Sequence, residues 1–149
     1  MRRNKRHEKR EFNHLMKELK EIQGHNSSST YSTIQQGDIY YADLPYDRHS
    51  EEAGRHPVLV VSSARMNSWS TVLIVVPLTS NMTYRDKATH VPFQFVFGEG
   101  AKQSLAMCEH IRELDKKFIV SGRVGQANRS TMTTVLGIVK EYILREDYA

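Results

Sequence analysis

The sequence predicts a mainly β fold, a small barrel of short strands closed by one C-terminal helix. From residue 37 onward, short apolar runs rich in β-branched and aromatic residues recur between polar or proline-containing segments. Such runs are typical of strands in a barrel or a sandwich. The end of the chain instead carries apolar residues at the three- and four-residue spacing of an amphipathic helix.

Length and composition limit the class of protein. The 149 residues are enough for one domain with a single core, and the hydrophobic content of 39% predicts that part of the chain lies outside that core. A single cysteine, Cys108, excludes an internal disulfide. No apolar run approaches the roughly 20 residues of a membrane span, and the basic N-terminus lacks the apolar segment of a secretory signal. We therefore expect a cytoplasmic protein without membrane contact.

Three segments are predicted. Residues 1–24 form a basic amphipathic helical extension, residues 25–36 a small and polar linker, and residues 37–149 the barrel domain. The extension holds eight Lys/Arg and four Asp/Glu, whereas the rest of the chain holds 13 residues of each sign. Three roles stay open for the extension. Its apolar face packs on the barrel or across a dimer, and its basic cluster can also bind nucleic acid without sequence preference. As a third possibility, the helix covers a groove that a partner protein would use.

The barrel elements follow in order. Strands are predicted at residues 39–44, 58–62, 71–76, 90–97, 104–110 and 118–124. Residues 64–70 connect two strands through a helical turn, and residues 112–117 join the last two strands. Asn128 or Ser130 caps the C-terminal helix. Its buried face is predicted to contain Met132, Val135, Leu136, Val139, Tyr142 and Ile143. Gly137 inside this helix predicts a packing constraint.

Polar groups stand at the ends of two apolar runs. Arg55 and His56 precede one run, and Thr79 and Ser80 follow the next. A guanidinium matches phosphate geometry, an imidazole exchanges protons near neutral pH, and hydroxyls donate to phosphate oxygens. The pattern predicts a phosphate-handling site at one rim of the barrel, and an RNA-cleaving enzyme is the leading hypothesis.

Three blocks of sequence resemble one family, the MazF/PemK toxins of bacterial toxin–antitoxin systems. They are Gly37-Asp38-Ile39-Tyr40-Tyr41-Ala42-Asp43-Leu44, then Ser50-Glu51-Glu52-Ala53-Gly54-Arg55-His56-Pro57-Val58 with Pro77-Leu78-Thr79-Ser80, and Cys108-Glu109-His110-Ile111-Arg112-Glu113-Leu114-Asp115-Lys116. The resemblance implies an SH3-like barrel, a homodimer, and metal-independent cleavage of single-stranded RNA at short sequences. It also implies a cognate antitoxin that blocks the dimer groove.

The chain departs from the family pattern at four places. His56 stands where the family most often has Arg, Glu52 and His110 each stand in place of Gln, and the N-terminal extension is additional. Arg55 and His56 keep both chemical types within one residue of each other. Neighbouring residues of a strand nevertheless point to opposite faces, so the two positions are not equivalent.

The resemblance supplies further site residues. Glu51 is a candidate general base and Ser50 a candidate phosphate donor, although a solvated acidic loop explains both equally well. Glu109, His110 and Arg112 are RNA-binding candidates, as is Ser80. Glu109 orients Arg55 or acts as a base, and Arg112 contacts RNA or pairs with Asp115.

Other groups are assigned no chemistry or a minor role. Cys108 is predicted to be a small buried residue, not a nucleophile. The His and Cys spacing matches no metal site, and we expect no cofactor. Tyr46 and Trp69, beside loops, are candidates to stack on bases.

The predicted function is a metal-independent, sequence-specific endoribonuclease that uses the RNA 2′-hydroxyl as nucleophile, with Arg55, His56, Thr79 and Glu51 as catalytic residues. The expected partners are single-stranded RNA, a cognate antitoxin, a second copy, and DNA within a toxin–antitoxin complex. The main alternative is a catalytically weakened member that binds DNA or the antitoxin as a regulator. A gyrase poison of the same superfold is disfavoured, because the C-terminal residues give no sign of it.

Overall fold

A computed structural model describes residues 10, 13–14, 34–45, 54–97 and 100–147, without the side chains of residues 84, 96 and 97. It contains a seven-stranded antiparallel sheet in the order β4-β5-β3-β2-β1-β7, and β6 also pairs with β3. The strands are β1 Asp38–Leu44, β2 Gly54–Val60, β3 Val72–Thr79, β4 His90–Phe97, β5 Gly100–Met107, β6 Arg112–Asp115 and β7 Gly125–Gln126.

Strand β3 is the centre of the sheet. One of its edges pairs with β2, with Val58 opposite Pro77. Its other edge is divided, because the first half pairs with β6 and the second half with β5. The chain therefore crosses directly from β5 to β6 beside β3, and the short 3-10 turn Cys108–His110 makes this crossing.

The sheet buries apolar side chains on both faces. One cluster is centred on Ile39, Leu59, Val76 and Leu78 and receives the C-terminal helix through Met132 and Val135. The second cluster, on the other face, is made by Tyr40, Ala42, Leu44, Val58, Val60, Leu73, Val75 and Leu114. Apolar runs such as residues 58–60 and 75–76 are continuous because both faces of these strands are covered.

Strands β4 and β7 approach each other and nearly close the barrel. Phe95 of β4, which is 3% exposed, packs directly over the backbone of Gly125 in β7. A Cβ atom at Gly125 would lie 2.6 Å from Phe95 Cδ2, too close for any side chain. Glycine at this position lets the two strands meet.

The helices follow local capping signals. Helix α1, Ala64–Trp69, begins after Ser63, whose side chain accepts a hydrogen bond from the Met66 amide. Helix α2, Arg129–Ile138, begins after Asn128 in the same way. A π-helical turn, Val139–Ile143, extends α2. None of the helices within the described ranges is long and apolar enough to cross a membrane.

Two expectations for the C-terminal helix are wrong. Tyr142 and Ile143 are 59% and 37% exposed, because the π turn changes the helical phase and rotates them away from the sheet. Met132, Val135 and Val139 are buried as expected. Gly137 has no packing reason, since an added Cβ atom would meet nothing within 4 Å.

The strand boundaries in the structure differ most from the predicted ones between residues 100 and 124. Strand β5 begins at Gly100 and ends at Met107, and the predicted strand end at 108–110 is the 3-10 turn. The predicted connection at 112–117 contains β6, whereas 118–124 contributes only an isolated bridge at Ile119. Strands β2 and β3 are also longer than predicted and include Gly54–Pro57 and Pro77–Thr79.

The mainly β fold and the C-terminal helix are confirmed. The helical extension 1–24 is not tested, because only Arg10, Asn13 and His14 of it are described, and these three are helical and exposed. Residues 25–33 of the predicted linker 25–36 and the turn residues 98–99 lie outside the described residues.

Candidate functional site

The site begins where β2 starts and β3 ends. These strands are antiparallel, so the start of β2, with Arg55 and His56, and the end of β3, with Thr79, lie at the same end of the sheet. The sheet register also defines which face each side chain occupies. His56 is opposite Ala42, and Thr79 is opposite Leu105. Directly opposite residues in an antiparallel pair share a face.

His56 and Thr79 lie on the same face of the sheet. His56 is two residues before Val58, which is opposite Pro77, and Thr79 is two residues after Pro77. Because side chains alternate along a strand, both share the face of Val58 and Pro77. We call this the site face. Each of the two residues is partly exposed there, at the edge of the buried cluster around Val58.

Arg55 occupies the opposite face. It is directly opposite Asp43, and its Nε donates to Asp43 Oδ1 at 2.9 Å. Both side chains are about half exposed, at 49% and 46%. Arg55 therefore pairs with Asp43 on this face, and the expectation that Glu109 orients Arg55 stays a prediction.

The hydrogen bonds of Thr79 leave its hydroxyl able to donate to a ligand. Its Oγ1 accepts a bond from the amide of Asn81 at 3.1 Å, at the turn that follows β3. Since this bond uses an acceptor position, the hydroxyl hydrogen remains to donate to a ligand oxygen. Ser80 is exposed and follows Thr79 directly, beyond the end of the strand.

A histidine that the sequence analysis did not select lies on the same face. His90 begins β4 opposite Met107, in the sheet row that continues through Pro77 and Val58. Its side chain is only 3% exposed, and its Nε2 hydrogen-bonds Glu109 Oε1 in the 3-10 turn. Because an ionised carboxylate only accepts, Nε2 carries the proton in this bond.

Glu109 is held as a carboxylate. Burial by itself raises the pKa of this carboxyl group, but hydrogen bonds from Thr89 and His90 favour the charged form more strongly, and the net pKa is lowered. The backbone supports the same geometry, since the Cys108 amide donates to the Thr89 carbonyl at 3.0 Å. A carboxylate with a lowered pKa is a weak base.

His110 and Arg112 complete the polar cluster. His110 Nε2 lies 3.5 Å from Glu109 Oε1, and its side chain is 38% exposed. Arg112 is opposite Val75 in β6 and so shares the site face. The alternative Arg112–Asp115 pair is not formed, because the two residues are three positions apart in β6 and their side chains point to opposite faces. Asp115 instead lies 3.9 Å from Lys117 Nζ.

Other predicted residues lie elsewhere. Cys108 is buried, and this burial, with Glu109 nearby, raises its pKa to about 11, so the thiol stays neutral. Trp69 is 73% exposed at the end of α1, which joins the opposite ends of β2 and β3. It is therefore remote from the site. Ser50 and Glu51 lie outside the described residues.

A small antiparallel barrel with imidazole, hydroxyl and carboxylate groups on one face defines the class of this protein. The chain belongs to the family of PemK-like, MazF-like toxins of type II toxin–antitoxin systems, whose model matches residues 35–143. It is 34% identical to the endoribonuclease MazF of Staphylococcus epidermidis over 84 residues, which cover 56% of this chain and 70% of that protein. The resemblance to this family is confirmed.

Solved structures confirm the fold. A chain of the Deinococcus radiodurans MazE–MazF crystal structure has a TM-score of 0.59 at 19% identity, covering 75% of this chain and 97% of that one. The Mycobacterium tuberculosis toxin MazF-mt6 has a TM-score of 0.58 at 20% identity, covering 73% and 98%. An endoribonuclease of a Mycobacterial species, solved with its cognate antitoxin, has a TM-score of 0.52 at 21% identity, covering 72% and 89%.

Proposed function

We propose that this protein is an endoribonuclease toxin that cuts single-stranded RNA at a short sequence without a metal ion. Membership of the MazF-like family and the similarity to a MazF endoribonuclease support RNA cleavage. The observation that carries the site assignment is the placement of His56 and Thr79 on one face, at the ends of neighbouring strands.

The reaction needs three kinds of catalytic group from the protein: a base, an acid and hydrogen-bond donors. The RNA 2′-hydroxyl attacks the adjacent phosphorus, so it requires a base, and the leaving 5′-oxygen requires an acid. Donors must also stabilise the negative charge that develops on the phosphate oxygens. We assign the base to His56, because an imidazole takes up a proton near neutral pH and this one stands at the edge of the site face.

We assign Thr79 and Arg112 to bind the phosphate and stabilise its developing negative charge. The Thr79 hydroxyl has its hydrogen left to donate, and the Arg112 guanidinium on the same face forms no ion pair within the described ranges. Arg55 keeps its predicted role in charge stabilisation only if its side chain leaves Asp43, which holds it at 2.9 Å. Glu51 stays a prediction as a catalytic residue, and Ser50 and Ser80 stay predictions as contacts to RNA.

The proposed partners follow from the same relatives. Related proteins have been solved with a cognate antitoxin, in a Mycobacterial species and in Deinococcus radiodurans. We propose a cognate antitoxin and a homodimer for this chain as well, in the cytoplasm, with DNA contact within the toxin–antitoxin complex. The basic residues of segment 1–24 are the proposed source of additional nucleic-acid affinity.

The test is cleavage of a long, varied RNA in EDTA with the ends mapped. The protein should cut at a recurring short motif and leave 2′,3′-cyclic phosphate and 5′-hydroxyl ends. His56→Ala and Thr79→Ala should each lower kcat by about 10²-fold or more, since each removes a proton-transfer group or an oriented donor. Lys117→Gln, a surface change at the far end of β6, is the matched control.

An intact RNA at every pH, with a folded protein, would refute the proposal. Tight binding of duplex DNA or antitoxin by that inactive protein would then support the regulator, the alternative suggested by His56 in place of the usual Arg.

A further inference from the structure

Glu109 connects two histidines. Its Oε1 accepts from Nε2 of His90, which is 3% exposed, and lies 3.5 Å from Nε2 of His110, which is 38% exposed. One imidazole is therefore buried in the sheet, and the other is partly exposed in the 3-10 turn. The arrangement resembles a general design in which a buried group fixes a carboxylate and the carboxylate orients an accessible imidazole.

We infer that His110 is the general acid of RNA cleavage, and that Glu109 and His90 are its positioning residues. The inference rests on the proposed function and extends it by one catalytic residue. The 3-10 turn that carries His110 packs against β3, the strand that ends in Thr79. The register places this turn beside β3 between the pairings Leu78–Ala106 and Val75–Arg112, next to the half of the strand that ends in Thr79.

The charges around His110 are few. Strand β3 carries no titratable residue, and β4 contributes only His90. The C-terminal turn that packs on the 3-10 turn contributes Lys140, Glu141 and Tyr142, all exposed, and Arg112 follows on β6. Glu109 is thus the carboxylate nearest to the ring, with its Oε1 3.5 Å from His110 Nε2.

The proposed step balances without a co-reactant. The bond from O2′ to phosphorus forms while the bond from phosphorus to O5′ breaks, and His56 takes the proton of the 2′-hydroxyl. The His110 imidazolium, with Nε2 towards Glu109, gives the proton on Nδ1 to O5′. The products are a 2′,3′-cyclic phosphate and a 5′-hydroxyl, and water protons reset both rings.

A modified substrate separates this role from a structural one. In an oligonucleotide with a single 5′-bridging sulfur at the cleavage site, the leaving thiolate needs no protonation. His110→Gln should lower kcat on the normal RNA by about 10²-fold or more and leave cleavage of the sulfur-bridged RNA within a few-fold of wild type. Glutamine retains a donor towards Glu109, so the fold is preserved.

The positioning residues should give the same signature. Glu109→Gln and His90→Gln should slow the normal RNA more than the sulfur-bridged RNA, and both should flatten the alkaline limb of the pH–rate profile. A merely structural role would slow both substrates equally.

Equal loss on both substrates, or no loss in His110→Gln, would overturn the inference while the proposed function stands. Failure of the wild-type protein to cut either RNA would instead refute the proposed function itself. Lys117→Gln should behave as wild type on both substrates and so shows that a surface Gln does not alter the assay.

Discussion

Arg55 and His56 are adjacent in sequence, but their side chains lie on opposite faces of the sheet. The ladder between β1 and β2 is regular through Leu44 and Gly54, so the alternation is not disturbed at this point. Arg55 is directed to Asp43, and His56 shares its face with Thr79. A cation and an imidazole in neighbouring positions are therefore not interchangeable, whatever their shared affinity for phosphate.

Replacing Arg55 should accordingly have a small effect. Arg55→Ala should lower the free energy of unfolding by less than about 1 kcal/mol, because it removes an exposed ion pair. Its kcat for RNA should stay well above that of His56→Ala. Thermal unfolding and single-turnover cleavage measure both effects, with Asp43→Asn as the partner control. A kcat as low as that of His56→Ala would show that Arg55 reaches the phosphate.

At the scale of elements, the 3-10 turn Cys108–His110 couples the site to stability. The folded protein holds the pKa of Glu109 below its ordinary value of 4.5. The resulting stabilisation is fully present above that value and is lost as the pH falls through the lower folded-state pKa. Acid should therefore weaken the attachment of the turn to β4.

A pH series of melting curves tests this coupling. The difference in melting temperature between wild type and Glu109→Gln should be constant at neutral pH and shrink once the pH falls below 4.5. Glu113→Gln, an exposed glutamate on β6, is the control and should show no such trend. A difference that grows on acidification would contradict the sign of the shift.

Helix α2 offers a site for stabilisation. Gly137 has no positive φ angle and an added methyl group meets open space. Gly137→Ala should therefore raise the free energy of unfolding by up to about 1 kcal/mol, since alanine favours the helix. Denaturant unfolding measures this change. Gly54→Ala should instead lower the free energy of unfolding, because Gly54 has a φ angle of +99° that alanine adopts only with strain. A destabilised Gly137→Ala would point to a packing partner.

An element could be predicted from the sequence when neighbouring residues determine it, and could not when contacts with distant residues determine it. Strands β1 and β4 and the Asn128 cap follow from local sequence, which is why they were predicted. Strand β6, four largely polar residues, exists through its register with β3 and has no local signal. His90 alternates with Gln94 like an outward-facing residue, and its burial depends on Glu109, 19 residues away. Its role was not accessible from spacing.

At the scale of the whole molecule, barrel closure depends on one close approach. Gly125→Ala should destabilise the protein by about 1–3 kcal/mol, because the new methyl group would press on the Phe95 ring. Phe95→Leu should recover part of that loss in the double variant, whereas independent effects would simply add. Denaturant unfolding of the four proteins measures the coupling, and additive losses would contradict a direct contact.

The divided pairing of β3 has a consequence for how the enzyme fails. Three strands share hydrogen bonds with β3, so its amide protons should exchange with solvent only in global unfolding. Thr79 stands on that strand and His110 on the turn beside it. Heat should then abolish cleavage and melt the fold at one temperature, without a folded but inactive species in between. A toxin of this design is silenced by occupation of its surface or by complete denaturation, not by gradual loosening.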